Sequence, residues 1–377
     1  MNRRNFLRTM GLGAAVAVSP ISFSACGSAT KQTARSGKMN LSFEPYELQL
    51  RHAFNLAKSQ RTTTPDVQVQ IEYDGLVGYG EASMPPYLGE SVDSVSQFLS
   101  KVDLTQFDPF DTENIHEYLE SIAPDNRAAK ASVDIALHDL TGKIMGQPWY
   151  KIWGLDPKKA PNTSITISWQ DDPEEMRREI EETEGFKVVK VKMGLGHDKE
   201  LVERLREVSD VAICVDANQG WSDKGQALDM CEWLSERNCL FVEQPMPKEM
   251  LDETAWLRER SPLPLIADEF LQRLPDVQRA AGAYDGINIK LMKSTGLHEA
   301  YKMAVLARAL GMKVMLGCMT ETSCAVTAAA QLAPMVDWAD LDGNLLISND
   351  RFDGIKIVDG QVTIPADRPG IGVELLS

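Results

Sequence analysis

Val188-Val189-Lys190-Val191-Lys192-Met193 sets two lysines, one residue apart, into a run of apolar and β-branched positions. Such a run reads as a strand, and alternation along it points Lys190 and Lys192 to the same face. A buried face is a costly place for two ammonium groups unless they have work to do there. Outward from this stretch the pattern repeats. Short β-branched runs at 163–168, 188–193, 211–216, 239–243, 264–268, 286–290, 313–317 and 337–341 alternate with amphipathic helical segments. From the second run on, the residues at or next to their C-terminal ends are Lys192, Asp216, Glu243, Asp268, Lys290, Gly317 and Asp340, 22 to 27 residues apart. That interval is one strand, one helix and two turns, so the segment predicts an α/β fold of the (β/α)8-barrel type. In such a barrel the C-terminal strand ends meet at one mouth, and residues far apart in the chain become neighbours.

Asp216 ends Val211-Ala212-Ile213-Cys214-Val215-Asp216, Glu243 ends Leu240-Phe241-Val242-Glu243, and Asp268 ends Leu263-Pro264-Leu265-Ile266-Ala267-Asp268. One acid at a strand end can be a helix cap. Three on consecutive strands would repel one another unless a cation sat among them. Oxygen donors without His or Cys favour a hard ion such as Mg2+. Lys290 closes the next strand after the last of these acids, across the mouth from Lys192. One amine on each side of a bound substrate is what inversion of a carbon centre requires: one base removes a proton and the other returns it opposite. Mutual repulsion and a nearby divalent ion are expected to depress the lysine pKa values toward a working base. Asp340 and Asp342 share a face at the end of the eighth strand and suit a substrate ammonium, although Asp342-Gly343 also reads as a turn.

Upstream, residues 40–155 mix alternating strands, such as Val67 to Tyr73, with helical stretches such as 131–140, where Val133, Ala136, Leu137 and Leu140 share one face. Turn signals fall at Asp74-Gly75 and in the loop from Met84 to Glu90. This part reads as an α+β domain whose loops overhang the barrel at 156–345, with 346–377 returning to it. Residues 1–25 read as an address: Arg3-Arg4 precede an apolar run too short to span a bilayer permanently, as in a twin-arginine export signal. Phe23-Ser24-Ala25-Cys26 resembles a lipoprotein processing box with Phe23 atypical, followed by a tether to residue 39. The expected location is periplasmic, with a lipid anchor at Cys26 as the one route to a membrane; simple cleavage with Cys26 unmodified is the alternative.

The whole chain of 377 residues carries a formal charge of −16, with 43% hydrophobic, 25% charged and 7% aromatic residues. The signal takes three arginines with it, leaving −19 on the mature protein. That charge opposes general binding to nucleic acid or anionic lipid. Six cysteines are too sparse for a disulfide scaffold, and no Cys-x-x-Cys or His-x-x-x-His is present. The five beyond residue 26 read as buried free thiols.

Lys190-Val191-Lys192, Asp216-Ala217-Asn218, Glu243-Gln244-Pro245, Ala267-Asp268-Glu269, Asn288-Ile289-Lys290, residues 315–319 and Ala339-Asp340-Leu341-Asp342-Gly343, in this order, resemble the dipeptide epimerases of the enolase superfamily, in its muconate-lactonizing subgroup. The resemblance spans residues 40–375. It implies a capping α+β domain on a (β/α)7β barrel, Mg2+ held by Asp216, Glu243 and Asp268, and Lys192 and Lys290 as the acid/base pair. Lys190 would touch the substrate carboxylate, and Asp340 with Asp342 would hold the dipeptide amino group. Arg61, in the first capping loop with Lys58 nearby, matches an arginine that pairs with an acidic C-terminal side chain, which favours a murein-type Ala-Glu substrate. Thr166 and Cys318 are expected to line the pocket. Epimerases of other dipeptides, N-acylamino acid racemases and cycloisomerases on the same barrel stay open. So does a peptide-binding lipoprotein without chemistry, and a homo-oligomer is compatible with the sequence.

Overall fold

The strands of the barrel begin where a second, smaller layer has already formed. In the computed structural model, which describes residues 37–56, 59–85, 88–194 and 196–376, β1 (Asn40–Leu56), β2 (Ser59–Tyr73) and β3 (Leu76–Ser83) make an antiparallel sheet. The export segment, Cys26, Lys58 and most of the tether lie outside the described residues. Asp74 and Gly75 both have positive φ, 48° and 79°, as a two-residue hairpin turn requires. β2 buries Val67, Val69 and Ile71 on one face, but Gln68 on the other face is buried too. The sheet is therefore covered on both sides, which its alternating polar pattern did not announce.

The covering helices are α1 (Val92–Leu99), α2 (Thr112–Ile122), α3 (Arg127–Met145) and the short α4 (Trp149–Ile152). Glu90 caps α3 by accepting from the Ala128 and Ala129 N–H groups, and Gly146 ends it in the left-handed region with φ 66°. Fifteen consecutive residues of α3, Ala128–Gly142, are buried. The expected one-sided helix over 131–140 is thus buried all round, because α3 lies between the sheet, α1 and the barrel helices. Gly80 permits the close approach: a Cβ there would collide with the Ser132 carbonyl.

The barrel follows as β4 (Ile165–Ile167), α5 (Pro173–Glu181), β5 (Val188–Lys192), α6 (Asp198–Arg206), β6 (Ala212–Asp216), α7 (Lys224–Ser235), β7 (Cys239–Glu243) and α8 (Leu251–Arg258). It continues with β8 (Leu265–Ala267), α9 (Leu274–Ala280), β9 (Gly286–Ile289), α10 (Leu297–Ala309), β10 (Lys313–Gly317), α11 (Ser323–Ala330) and β11 (Trp338–Asp340). These eight strands form one parallel sheet in chain order, and a Thr163–Ala339 bridge joins its two ends. This is a (β/α)7β barrel. Each strand sits inside the window read from the sequence, and Asp268 and Lys290 fall one residue past their strands. Val189 and Val191 pack outward toward the helices, while Cys214, Phe241, Ile266 and Met315 form a dry layer inside, flanked by Val188 and Trp338.

The chain then returns to the first sheet. Arg51 N–H donates to the Leu346 carbonyl at 2.9 Å, Ser348 N–H to Gln49 at 2.9 Å, and Ile371 N–H to Asp139 at 3.0 Å. Near the terminus β12 (Phe352–Asp353) pairs with β15 (Glu374–Leu375) around the hairpin β13 (Lys356–Val358) and β14 (Gln361–Thr363). All five cysteines beyond residue 26 are buried free thiols. No helix among the described residues is long and apolar enough to cross a membrane.

Candidate active site

Above the dry layer the inward positions turn polar. One step further along the strands, the same faces that carry Cys214, Phe241 and Ile266 carry Asp216, Glu243 and Asp268. One carboxylate oxygen from each lies within 4.8 Å of the others, and all three residues are buried. Four ammonium groups press on this cluster. Lys190 Nζ lies 2.7 Å from Glu243 Oε2, 3.2 Å from Asp216 Oδ2 and 2.7 Å from Asp340 Oδ2. Lys192 donates to Asp216 at 2.7 Å, Lys290 donates to Asp268 at 2.8 Å, and Lys293 donates to the other oxygen of Asp268. Lys192 and Lys290 thus meet the two outer carboxylates of the cluster, one from the β5 side and one from the β9 side.

Burial raises the pKa of Glu243 to about 7, helped by Asp216 beside it and resisted by Lys190. For Asp216 the same burial is outweighed by Lys192 and Lys190, which bring it down to about 2. Lys190 departs from expectation: burial pushes it down, but Asp340, Glu243 and Asp216 outweigh burial and hold it well above the ordinary lysine value. The donor set fits a hard divalent ion: it is all oxygen, buried and convergent. The three ligand oxygens lie within 4.8 Å of one another, near enough to converge on one ion.

Asp340 receives Ser164 Oγ–H at 2.7 Å on the oxygen that Lys190 leaves free. Asp342 accepts the Thr166 N–H at 2.7 Å, and burial with Asp340 alongside raises it to about 7. Thr166 therefore joins this pair through its main chain. Cys318 is turned to the same loop, its thiol donating to the Asp340 carbonyl at 3.2 Å and accepting from Gly343 N–H at 3.3 Å. Burial, with Glu321 and Asp342 nearby, pushes that thiol well above its usual pKa, and its two hydrogen bonds brace the loop. Arg61 is half-buried and its Nη2 donates to Thr320 Oγ1 at 3.1 Å, just past β10. The structure thus brings Arg61, Cys318 and the Asp340/Asp342 pair to neighbouring turns.

Several members of the site were given no role in the sequence reading. Asn288 donates to Glu243 at 2.6 Å; its place two residues before Lys290 on the same strand face was a usable signal. Gln244 accepts from Asp268 N–H at 3.0 Å and Phe270 N–H at 3.1 Å, fixing the start of the loop beyond β8. Lys293 lies in a turn, where no periodicity points to its direction.

Known proteins share this fold. Residues 175–377 match the family described as enolase C-terminal domain-like, and residues 43–154 match the mandelate racemase / muconate lactonizing enzyme N-terminal domain. The chain belongs to this family. It is 57% identical to an L-Ala-D/L-Glu epimerase of Bacteroides thetaiotaomicron over 99% of both chains. It is 35% identical to an L-Ala-D/L-amino acid epimerase of Pedosphaera parvula, over 89% of this chain and 99% of that one. Among solved structures, a substrate-liganded complex of the L-Ala-D/L-Glu epimerase from Bacillus subtilis superposes with a TM-score of 0.83 at 29% identity, covering 89% of this chain and 98% of that one. A dipeptide epimerase from Methylococcus capsulatus, complexed with Mg and L-Arg-D-Lys, does so with a TM-score of 0.82 at 30% identity, covering 89% and 99%. This enolase-superfamily chain therefore carries both parts of the fold its motifs implied.

Proposed function

We propose that this protein is a Mg2+-dependent dipeptide epimerase that inverts the Cα of the C-terminal residue, with L-Ala-D/L-Glu of murein type as the favoured substrate. The observation that supports this reading is that Lys192 pairs with Asp216 and Lys290 with Asp268, two different members of one three-carboxylate cluster. A binding protein has no need of two opposed bases. Relatives named as epimerases of Ala-Glu and of other dipeptides support the same reaction class.

Asp216, Glu243 and Asp268 would hold the metal, which when bound supplies positive charge where the substrate carboxylate gains its second negative charge. Lys190 adds a buried ammonium at the same place, and such fixed charge is worth most where charge develops during the reaction. One of Lys192 and Lys290 takes the Cα proton and the other delivers a proton to the opposite face. Asp342, with Asp340, accepts the substrate ammonium and so selects a free amino terminus over an acylated one. Arg61 pairs with the glutamate side chain.

The test is hydrogen exchange in D2O with each epimer of Ala-Glu. Lys192→Ala and Lys290→Ala should both abolish epimerisation, by about a thousand-fold or more, while each retains exchange on a different epimer. Two-way epimerisation by either variant removes the two-base scheme.

The same proposal places the protein outside the cytoplasm, exported by the segment containing Arg3-Arg4 and anchored at Cys26. Replacing both arginines with lysine should leave the protein in the cytoplasmic fraction, and Cys26→Ser should release it from membranes. Unchanged fractionation of both variants would remove the export reading.

A further inference from the structure

Lys293 is 1% exposed and lies in the turn Lys290-Leu291-Met292-Lys293, which is closed by Lys293 N–H donating to the Lys290 carbonyl at 2.9 Å. An ammonium has three hydrogens to donate. Here all three acceptors are internal: Asp268 Oδ1, the Asp268 carbonyl at 2.7 Å and the Asn288 carbonyl at 3.1 Å. A group so fully engaged is a strut: it ties the end of β8 to the end of β9 and fixes one edge of the Asp268 carboxylate. The main chain of Asp268 is held from the other side by Gln244. Left to itself, an aspartate carboxylate turns about its last torsion, which is broad and nearly two-fold. With Oδ1 fastened to Lys293, Oδ2 is the oxygen that faces the mouth and Lys290.

We propose that Lys293 is a positioning residue for the carboxylate cluster, locking Asp268 so that a single defined oxygen is presented to the barrel mouth. The proposal rests on the Mg2+-dependent reading above and has a test of its own. A positive charge that merely sits near a cation site weakens cation binding, so its removal should tighten the site. A strut that orients a ligand has the opposite sign. Isothermal titration of Mg2+ into the purified full-length protein, Lys293→Met and Lys293→Gln distinguishes the two.

The expected result is that Lys293→Met keeps the far-ultraviolet circular dichroism of the parent but binds Mg2+ at least ten-fold more weakly. Lys293→Gln, whose amide still donates two hydrogen bonds, should lose less. Mg2+ affinity unchanged or tighter in the folded variants overturns the proposal. Failure of both variants to fold also overturns it, because Lys293 would then serve the fold alone. If the parent protein binds no Mg2+ while both variants fold, the reading of the site falls, and this inference falls with it.

Discussion

Arg61 sits at the meeting point of two separate parts of the chain. It comes from the first sheet, just after the register shift between Gln49 and Phe54, and its guanidinium reaches the turn that follows β10. On a protein of formal charge −16 a cation held over an acidic mouth is a local exception that an acidic side chain would find. Arg61→Ala should therefore lower kcat/KM on Ala-Glu by roughly ten- to a hundred-fold, the scale of one lost charge-assisted hydrogen bond of ~1.5–3 kcal/mol. Activity on Ala-Ala should fall far less, and equal losses on the two dipeptides would remove the specificity role. At this scale, residues on strands were legible because alternation fixes their direction: Lys190, Lys192, Asp216 and Glu243 all followed from it. Residues in turns were not. Lys293 and Thr320 owe their places to loop paths that no period encodes, and the raised pKa of Lys190 depends on partners from three other strands.

At the scale of elements, the dry layer beneath the carboxylates is what makes their charges strong. Phe241 is 1% exposed and packs against Trp338 with the rings tilted and their centroids 4.6 Å apart. With Cys214, Ile266 and Met315 it closes the barrel below the cluster, so no solvent screens the site from that side. Phe241→Ala should cost about 3–5 kcal/mol in urea denaturation, and a loss under 1 kcal/mol would show that the layer is not packed as described. The strands carrying this layer were the most legible part of the chain, because each repeats the same β-branched run at nearly constant interval. The helices were less so. α3 looked one-sided over 131–140 because its other positions include Asp134, His138 and Asp139, which read as solvent-facing but are buried with partners, Asp134 on His116 and His138, and Asp139 on Lys143.

For the molecule as a whole, the joint between the first sheet and the barrel is unusually acidic. Asp66, Glu81 and Glu321 are all buried there; Glu81 accepts from Thr322 and Glu321 from Met319 N–H. Burial raises all three, Glu321 to about 7, with Asp66 and Glu321 adding to the rise of Glu81. An acid whose pKa rises on folding binds protons more tightly in the folded state. Its contribution to stability is complete below the unfolded value and is lost as pH climbs to the folded one. For Glu321 that window runs from about 4.5 to about 7, with an upper limit of roughly 3 kcal/mol. The melting temperature should therefore be higher at pH 5 than at pH 8, and Glu321→Gln should shrink the difference. A variant with the parent's full pH dependence would acquit Glu321. This joint was invisible to sequence reading, since the pairing of β2 with β3 and their seating on one particular barrel turn are tertiary facts.

The fold also hides five thiols in one chain, at positions 214, 231, 239, 318 and 324. Shielding lasts only as long as the packing does. In an oxidising medium a molecule that opens fully exposes these sulfurs, and any bridge that forms between them belongs to no native geometry. Heat damage to this protein in air should consequently be a ratchet, while the same excursion in dithiothreitol is a round trip.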